Sequence, residues 1–363
     1  MNALIGLSVH LAKLFIIIFW FETDYRSESL LMLLLSASSR RQSVRKSRTC
    51  QTYLYTQLGK LGKIEIKMIG ASLLLGAVLA APAVSHADLR TIKALDGLTW
   101  VPELPKRFVG KSLDGVRAML GPLIDTSRPT ITMKHSTKPP VGAPESYDFR
   151  EEYPHCITEV VDQGSCGSCW AFSSIQTFAD HRCRSGLDAT GVSYSVQYVL
   201  DCDRKDHGCN GGEPVNAFNF LHNTGTVLTS CVEYTAGDDA VVKFCPQKCD
   251  DGSAVENIVA TSGAKSGSAI DVLLAHGPVV ATFNVAQDFM YYKSGVYQHR
   301  WGVWLGGHAV EIVGYGVTDS GLDYWTVRNS WGPDWGEDGY FRIVRGGDEC
   351  GIEQEGFHYA DVE

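Results

Sequence analysis

Hydrophobic positions divide the chain into a helical half followed by a half rich in strands. Ala171, Ile175 and Phe178 fall at helical spacing, and a second helical pattern covers 214–222. Further on, short β-branched and aromatic runs separated by glycine cover the segments 309–316, 324–331 and 340–344. This order predicts an α+β fold with two lobes and a cleft between them.

Two apolar stretches precede these elements. The first, 3–21, is long enough to span a bilayer, so a retained membrane anchor stays open as an alternative. The second, 69–83, follows several lysines and leads into small residues, which predicts a secretory signal peptide over 68–87, cleaved after its last residue. Met68 opens this segment, so residues 1–67 form an N-terminal extension that is either an anchor or the product of a wrongly assigned start.

Charge is distributed unevenly around a net value of −9. Residues 143–363 carry 13 Lys+Arg against 32 Asp+Glu, a net −19, and residues 1–142 carry 19 against 9, a net +10. The acidic balance argues against nucleic acid as a partner. Eleven cysteines indicate an oxidising compartment, so we expect the secretory pathway, with a lysosome-like acidic vacuole and secretion both open.

Residues 88–142 form a basic segment, with nine Lys+Arg against five Asp+Glu. It ends in a stiff linker rich in proline and glycine, 138–144, of the kind that proteases cut. A cationic leader before an acidic body predicts an inhibitory propeptide over 88–142, released at acid pH when carboxylates are protonated, and a mature domain over 143–363. The alternative is a plain interdomain linker.

Cys169 stands at the start of the first helical pattern. Turn and cap residues at 164–168 place the helix start beside it, where exposed backbone N–H groups favour a thiolate, the attacking form of a cysteine. A redox or metal-binding role for Cys166 and Cys169 is the rival interpretation. However, no second ligand pair with zinc-ribbon spacing follows, and 156–165 does not have the pattern of a strand in a βαβ unit.

Four motifs resemble the papain-type cysteine peptidases: Gln163 with Cys169-Trp-Ala-Phe-Ser, Cys209-Asn-Gly-Gly, Gly307-His308-Ala and Asn329-Ser-Trp-Gly. The segments 147–156 and 346–355, and a short leader with Trp100, are similar to the cathepsin B branch. The resemblance covers about 88–363. It implies a papain-like fold, with a helical left lobe and a β-barrel-like right lobe, made as a zymogen without cofactor or metal.

The resemblance also implies a role for each residue of the catalytic group. Cys169 attacks the peptide carbonyl as a thiolate, and His308 pairs with it as an imidazolium and then protonates the leaving amine. Asn329 orients the imidazole, Trp331 covers the Asn–His hydrogen bond, and Gln163 donates its side-chain amide to the oxyanion.

Substrate would be bound by residues on both sides of the cleft. Gly211, Gly212 and Gly307 leave room for a peptide backbone, and Trp331 lies beside them. Glu355 matches the floor of the pocket for the second residue before the scissile bond, where a carboxylate would accept Arg or Lys. A solvated C-terminal charge is the alternative interpretation of Glu355.

By the same resemblance, eight cysteines pair and Cys350 stays free, whereas Cys50 lies outside the framework. The implied pairs are Cys156–Cys183, Cys166–Cys209, Cys202–Cys245 and Cys231–Cys249. The sequence alone does not choose among the connectivities.

One stretch departs from the cathepsin B pattern. That branch carries a loop with two adjacent histidines that blocks the cleft and binds the C-terminal carboxylate of a substrate, but 232–244 is short and has no histidine. Asp238 and Asp239 would instead repel a carboxylate. We therefore expect an endopeptidase, with a dipeptidyl carboxypeptidase or a catalytically silent binding protein as alternatives. The expected partners are protein and peptide substrates, the chain's own propeptide and cystatin-like inhibitors, and the mature form is expected to be a monomer.

Overall fold

The computed structural model describes residues 82–122, 124 and 137–363. The predicted extension 1–67, with the apolar stretch 3–21, and most of the predicted signal peptide 68–87 lie outside the described residues. Within the part of the chain that is described, no helix combines the length and the apolar character needed to cross a bilayer.

Helices occur mainly in the first half of the described chain. They are α1 (His86–Lys93), α2 (Leu113–Arg117), α3 (Phe149–Glu152), α4 (Cys169–Arg184), α5 (Val196–Cys202), α6 (Pro214–Asn223), α7 (Ala236–Asp239) and α8 (Ala269–Ala275). The predicted helices at Cys169 and at 214–222 are therefore present as α4 and α6. Pro214 suits the first position of α6, because the N–H that proline lacks has no helical partner there.

The described strands form one sheet. They are β1 (Trp100–Pro102), β2 (Tyr147–Asp148), β3 (Lys265–Gly267), β4 (Val279–Ala286), β5 (Tyr292–Tyr297), β6 (Trp304–Val317), β7 (Asp323–Arg328), β8 (Tyr340–Val344) and β9 (Phe357–Tyr359). Their order is β1-β5-β8-β7-β6-β4-β9-β3, with β2 also paired to β6. The three predicted strands are β6, β7 and β8, although β7 ends at Arg328 and leaves 329–331 outside the sheet. The predicted α+β class is confirmed.

The basic leader packs on this sheet through α1, β1, a 3-10 turn at Lys106–Phe108 and α2. Trp100 is buried between Tyr292 and Tyr297, and its indole N–H donates to the carbonyl of Gln298 at 3.0 Å. Strand β1 pairs antiparallel with β5, so the leader adds an edge strand to the sheet. We call residues 88–142 the prosegment.

The predicted cleavage point after Ala87 falls in the first turn of α1. Ser85 caps this helix by accepting a hydrogen bond from the backbone N–H of Asp88, and Ala83 and Val84 just before it are buried. The packed part of the leader thus begins a few residues before the predicted cleavage point, and the boundary itself stays a prediction.

Helix α4 lies between the lobes and is buried on nearly all its faces. On one side Phe178 packs with residues of α6 such as Leu221, and on the other side α4 meets Val280 of β4 and Ala309 of β6. The sequence predicts only an apolar stripe, whereas the structure also buries Asp180, because both lobes enclose the helix. The cysteine at its first turn is therefore held at the junction of the two lobes.

Four disulfides fasten the loops of the helical lobe. They are Cys156–Cys183, Cys166–Cys209, Cys202–Cys245 and Cys231–Cys249, the pairs that the resemblance implies. Among the described residues Cys169 and Cys350 are free and buried. Each bridge constrains the unfolded chain and typically contributes about 2–4 kcal/mol.

Candidate active site

Cys169 is the first residue of α4 and is buried in the cleft. Its Sγ accepts a hydrogen bond from the backbone N–H of Ala309 at 3.4 Å, so the helical lobe presents the thiol directly to strand β6. Ser168 precedes the helix but does not cap it, in contrast to the expectation from sequence. Its hydroxyl instead forms a 2.9 Å hydrogen bond with the hydroxyl of Tyr234.

His308 on β6 and Asn329 just after β7 form a buried pair. His308 Nε2 lies 2.8 Å from Asn329 Oδ1, and that oxygen also accepts the backbone N–H of Ser330 at 2.8 Å. Because Oδ1 only accepts, Nε2 carries the proton and Nδ1, which has no hydrogen-bond partner, is left unprotonated. The buried Trp331 ring lies 5.1 Å from the imidazole ring and shields this pair from solvent.

Gln163 is fully buried and its amide is held on both sides. Ser330 Oγ donates to Gln163 Oε1 at 2.7 Å, which directs Nε2 toward the carbonyl oxygens of Met119 at 2.9 Å and Cys166 at 2.8 Å. Met119 belongs to the prosegment. The amide predicted to stabilise an oxyanion is therefore occupied by a prosegment carbonyl in this structure.

A cleft of about 220 Å³ brings together most of the residues predicted to bind substrate. Its lining includes Cys169, His308, Gly211, Gly212, Gly307 and Glu355, together with prosegment residues Gly121, Pro122 and Ile124. Gly121 and Gly307 exchange backbone hydrogen bonds of 2.8 and 3.0 Å. A Cβ atom at Gly307 would lie 2.4 Å from the Pro122 carbonyl oxygen, so glycine here makes room for a peptide backbone.

Glu355 lies at the edge of this cleft and is exposed. Its carboxylate accepts a hydrogen bond from the hydroxyl of Thr282 at 2.7 Å, which fixes its direction. Glu213 lines the same cleft; burial raises its pKa first, and the charge of Glu355 raises it further. This end of the cleft is acidic.

Burial of Cys169 and His308 under the prosegment shifts the pKa of each side chain. Burial raises the pKa of Cys169 to about 11 and lowers the pKa of His308 to about 4. The prosegment closes the cleft above both groups, and burial without a counter-charge disfavours the ionised form of each. In this closed form burial favours the neutral form of both side chains, and the thiolate–imidazolium pair of the processed enzyme stays a prediction.

Tyr234 contacts residues of the site, although no motif in the sequence indicates this role. Its hydroxyl donates to the backbone carbonyl of Gln163 at 2.7 Å and contacts Ser168, and its ring packs edge-on against Phe172. It lies 66 residues beyond Ser168 in the chain, and no motif links the two. This tyrosine joins the loop that carries Gln163 to the residue preceding Cys169.

No metal centre competes with this arrangement in the described part of the chain. The one group of side chains close enough to share an ion there is His155 with Cys156 and Cys183. Those two cysteines form a disulfide with each other, so neither is available as a thiolate ligand.

Comparisons with known proteins agree with this geometry. A family model described as papain family cysteine protease matches residues 143–360. The chain is 48% identical to the cathepsin B-like CP3 of Giardia intestinalis over 288 residues, covering 78% of this chain and 96% of the relative, and 49% identical to CP2 of the same organism over 297 residues, covering 78% and 97%.

A solved structure shows the same architecture with its prosegment. The procathepsin B S9 of Trypanosoma congolense superimposes with a TM-score of 0.68 at 28% identity, over 78% of this chain and 100% of that chain. The prosegment packed along the cleft here is therefore the arrangement of a proform. The chain belongs to the papain family of cysteine proteases, and it is a cathepsin B-like enzyme made as a zymogen.

Proposed function

We propose that the mature chain is a cysteine endopeptidase that hydrolyses peptide bonds through Cys169, His308, Asn329 and Gln163. The observation that carries this proposal is that Cys169 and His308 line one cleft, with Asn329 bonded to the imidazole and the Gln163 amide bonded to the peptide segment that lies across the cleft. Both lobes contribute, because Cys169 comes from α4 and the His–Asn pair from β6 and the end of β7.

We assign each step of the reaction to one atom of these side chains. His308 Nδ1 takes the thiol proton, and the sulfur attacks the carbonyl carbon of the substrate. The Gln163 amide and the Cys169 backbone N–H then donate to the oxyanion, where one such donor is worth about 3–4 kcal/mol. The imidazolium, oriented by Asn329, protonates the leaving amine, and water hydrolyses the remaining thioester.

The prosegment occupies the cleft without binding as a substrate would. Along the chain, Phe108 contacts Trp331 at 5.1 Å, Met119 contacts Gln163, and Ile124 bonds to Asn284 near the Glu355 end of the cleft. If Glu355 faces the second residue before the scissile bond, a substrate runs from Glu355 toward Trp331. The prosegment then runs in the opposite direction.

The primed side of the cleft, beyond the scissile bond, favours an endopeptidase. Without the prosegment side chains, the cavity there is lined by Asp162, Gly164, 331–333, Asp334 and Trp335. This wall carries two carboxylates and no basic side chain, and Asp238 and Asp239 of α7 lie exposed in the neighbouring segment. A substrate's terminal carboxylate would be repelled rather than held.

Matched peptides test the proposal. One internally quenched peptide is made with a free C-terminus and with an amidated one, and kcat/KM is measured with the processed enzyme, using Cys169→Ala as the inactive control. We expect the amidated peptide to be cleaved internally at least as fast as the free one. Preferential release of C-terminal dipeptides from the free form would establish the exopeptidase instead, and no labelling of Cys169 by an epoxide inhibitor would indicate a silent binding protein.

The proposal also covers the cellular location and the partners of the enzyme. Four disulfides in the helical lobe support an oxidising compartment, and we place the enzyme in the secretory pathway, delivered to an acidic vacuole or secreted. The mature form is proposed to be a monomer that cystatin-like proteins inhibit at the open cleft. Fractionation of the source cells with an antibody against the mature domain tests the location.

A further inference from the structure

One prosegment side chain lies in a site built by the mature domain outside the catalytic group. The Arg107 guanidinium is 10% exposed and forms an ion pair with the Asp162 carboxylate. It also donates to the carbonyl oxygens of Gly164 at 3.0 Å and of Trp331 at 3.4 Å. Three acceptors therefore converge on one cation. We call Asp162, Gly164 and Trp331 the guanidinium site.

The mature domain holds this site in place without help from the prosegment. Asp162 Oδ1 accepts the backbone N–H of Gly164 at 2.6 Å, which fixes the carboxylate, and Asp162 pairs with Trp331 in an isolated β-bridge. The next residue, Gln163, donates its backbone N–H to Ser330 at 2.8 Å. The acceptors should therefore remain together when Arg107 leaves.

The site lies directly beside the residues of the proposed chemistry. Asp162 precedes the oxyanion donor Gln163, and Trp331 follows Asn329 by two residues and packs on His308. It opens on the cavity whose wall also carries Asp334 and, apart from prosegment residues, no cation. A peptide that extends past the scissile bond toward Trp331 would meet this carboxylate.

We propose that the guanidinium site, once vacated by Arg107, is a primed-side subsite that binds an arginine, and less well a lysine, of the protein substrate. This inference rests on the proposed endopeptidase function and names a substrate class for it: chains with a basic residue within the first three positions after the cleaved bond. Arginine is favoured because its planar guanidinium reaches several acceptors at once, whereas an ammonium acts as a point charge.

The strength of this preference depends on the solvent exposure of the Asp162 carboxylate. Asp162 is 48% exposed even with Arg107 in place, so solvent and salt screen the interaction. A charge-assisted hydrogen bond of this kind corresponds to a preference of roughly tenfold in kcat/KM at low ionic strength. The preference should shrink as salt is added.

Quenched peptides with blocked ends test the subsite on the processed enzyme. Each pair differs by arginine against citrulline, its neutral isostere, at the first, second or third position after the scissile bond, and mass spectrometry verifies the cleavage point. We expect the arginine-to-citrulline ratio of kcat/KM to be roughly ten at one of these positions. Asp162→Asn should lower that ratio to near one while keeping the acceptor for Gly164, and Asp162→Lys should favour a glutamate peptide.

Asp238→Asn is the matched control, because it removes an exposed carboxylate near the cleft that does not contact Arg107. A ratio that stays near ten in Asp238→Asn and falls in Asp162→Asn supports the subsite. A ratio near one at all three positions in the parent enzyme overturns the subsite. An equal fall of the ratio in both variants also overturns it, because the preference would then come from the overall negative charge of the domain. Failure of the processed enzyme to cleave any peptide would count against the proposed function instead.

Discussion

Cys169 and His308 are expected to have different charge states in the proform and in the processed enzyme. In the proform, burial raises the pKa of the thiol to about 11 and lowers the pKa of the imidazole to about 4, so both are neutral between these values. Under the proposed mechanism, removal of the prosegment returns water to the cleft, and an imidazolium beside the sulfur then stabilises the thiolate. Reactivity of Cys169 should therefore report the state of the prosegment.

We predict that iodoacetamide at pH 6 labels Cys169 of the processed enzyme on the order of a hundredfold faster than Cys169 of the proform, because only the thiolate attacks. Peptide mapping follows the rate at each cysteine. Cys350 is an internal reference, since burial raises its pKa well above the ordinary value and it lies away from the cleft lining. Equal labelling rates in the two forms would show that the prosegment does not control the ionisation of the thiol.

Single-residue motifs gave the centre of the site but not its supports. Cys169, His308, Asn329 and Gln163 stand in recognisable local motifs, and the structure places Cys169 and His308 in one cleft with Asn329 bonded to His308. Tyr234 has no such context, because its hydrogen bond to Gln163 spans 71 residues. The ion pair of Arg107 with Asp162 could not be predicted either, because a basic residue in a basic segment does not indicate which acidic residue it contacts.

At the scale of elements, α4 and the sheet are joined by a buried ionic cluster. Asp180 of α4 lies 3.7 Å from the Arg328 guanidinium at the end of β7, and Glu311 of β6 lies 3.7 Å from the same group. Burial raises the pKa of Asp180 to about 6. It also raises the pKa of Glu311 well above the ordinary value, and the charge of Asp180 adds to that shift. Two carboxyls thus share one cation, which favours a proton on Glu311.

We predict that this cluster makes the fold less stable as the pH rises. A carboxyl whose folded pKa is raised binds its proton more tightly in the folded state, so its stabilisation is complete below the unfolded pKa of about 4 and is lost as the pH rises through about 6 and above. Glu311→Gln replaces the proton-holding carboxyl by a permanently neutral group that keeps the acceptor for Thr177. It should reduce the loss of stability between pH 5 and 8 by about 1–3 kcal/mol.

Urea unfolding of the Cys169→Ser proform, which cannot digest itself, measures this effect. Asp319→Asn removes an exposed carboxylate outside the cluster and should leave the pH profile of unfolding unchanged. A Glu311→Gln profile that parallels the parent protein would mean that Glu311 binds no more proton in the folded state than in the unfolded state over this range, and would overturn the prediction.

The helices and strands could be predicted where the pattern is local. Hydrophobic spacing located α4, α6, β6, β7 and β8, but it did not show that α4 is enclosed by both lobes, because Asp180 and His181 look like ordinary surface positions in the sequence. Pairing of β1 with β5 joins residues about two hundred positions apart, and nothing local specifies it. Tertiary contact decides such features, and a single sequence does not display it.

The whole molecule becomes sensitive to acid only through groups that bind or release protons when the proform opens. Under the proposed mechanism, opening the proform converts a neutral thiol and imidazole into a thiolate and an imidazolium, so the pair exchanges no net proton with solvent. The pH dependence of opening must then come from carboxylates that face the prosegment. The prosegment carries a net +4 against −19 on the mature domain, and carboxylates lose their charge as the pH falls toward 4.

Arg107 makes a specific contact between the basic prosegment and the acidic mature domain. Its positive charge is buried against Asp162 and also adds to the lowering of the His308 pKa, of which burial is the larger cause. Replacing Arg107 by a neutral residue removes this ion pair and leaves the Asp162 carboxylate without its prosegment partner. Opening should therefore be easier when Arg107 is absent.

We predict that the Arg107→Gln proform activates roughly tenfold faster than the parent at pH 7, because it lacks the ion pair with Asp162. Activation is followed by active-site titration after seeding with a trace of mature enzyme. Both proforms yield the same mature enzyme, because Arg107 lies in the removed segment, so any difference in rate belongs to the closed form.

Arg117→Gln is the matched control: it removes the same charge from α2, where Arg117 is exposed and pairs with Asp114 of the prosegment. Equal acceleration in both variants would assign the effect to overall charge and not to the pair of Arg107 with Asp162.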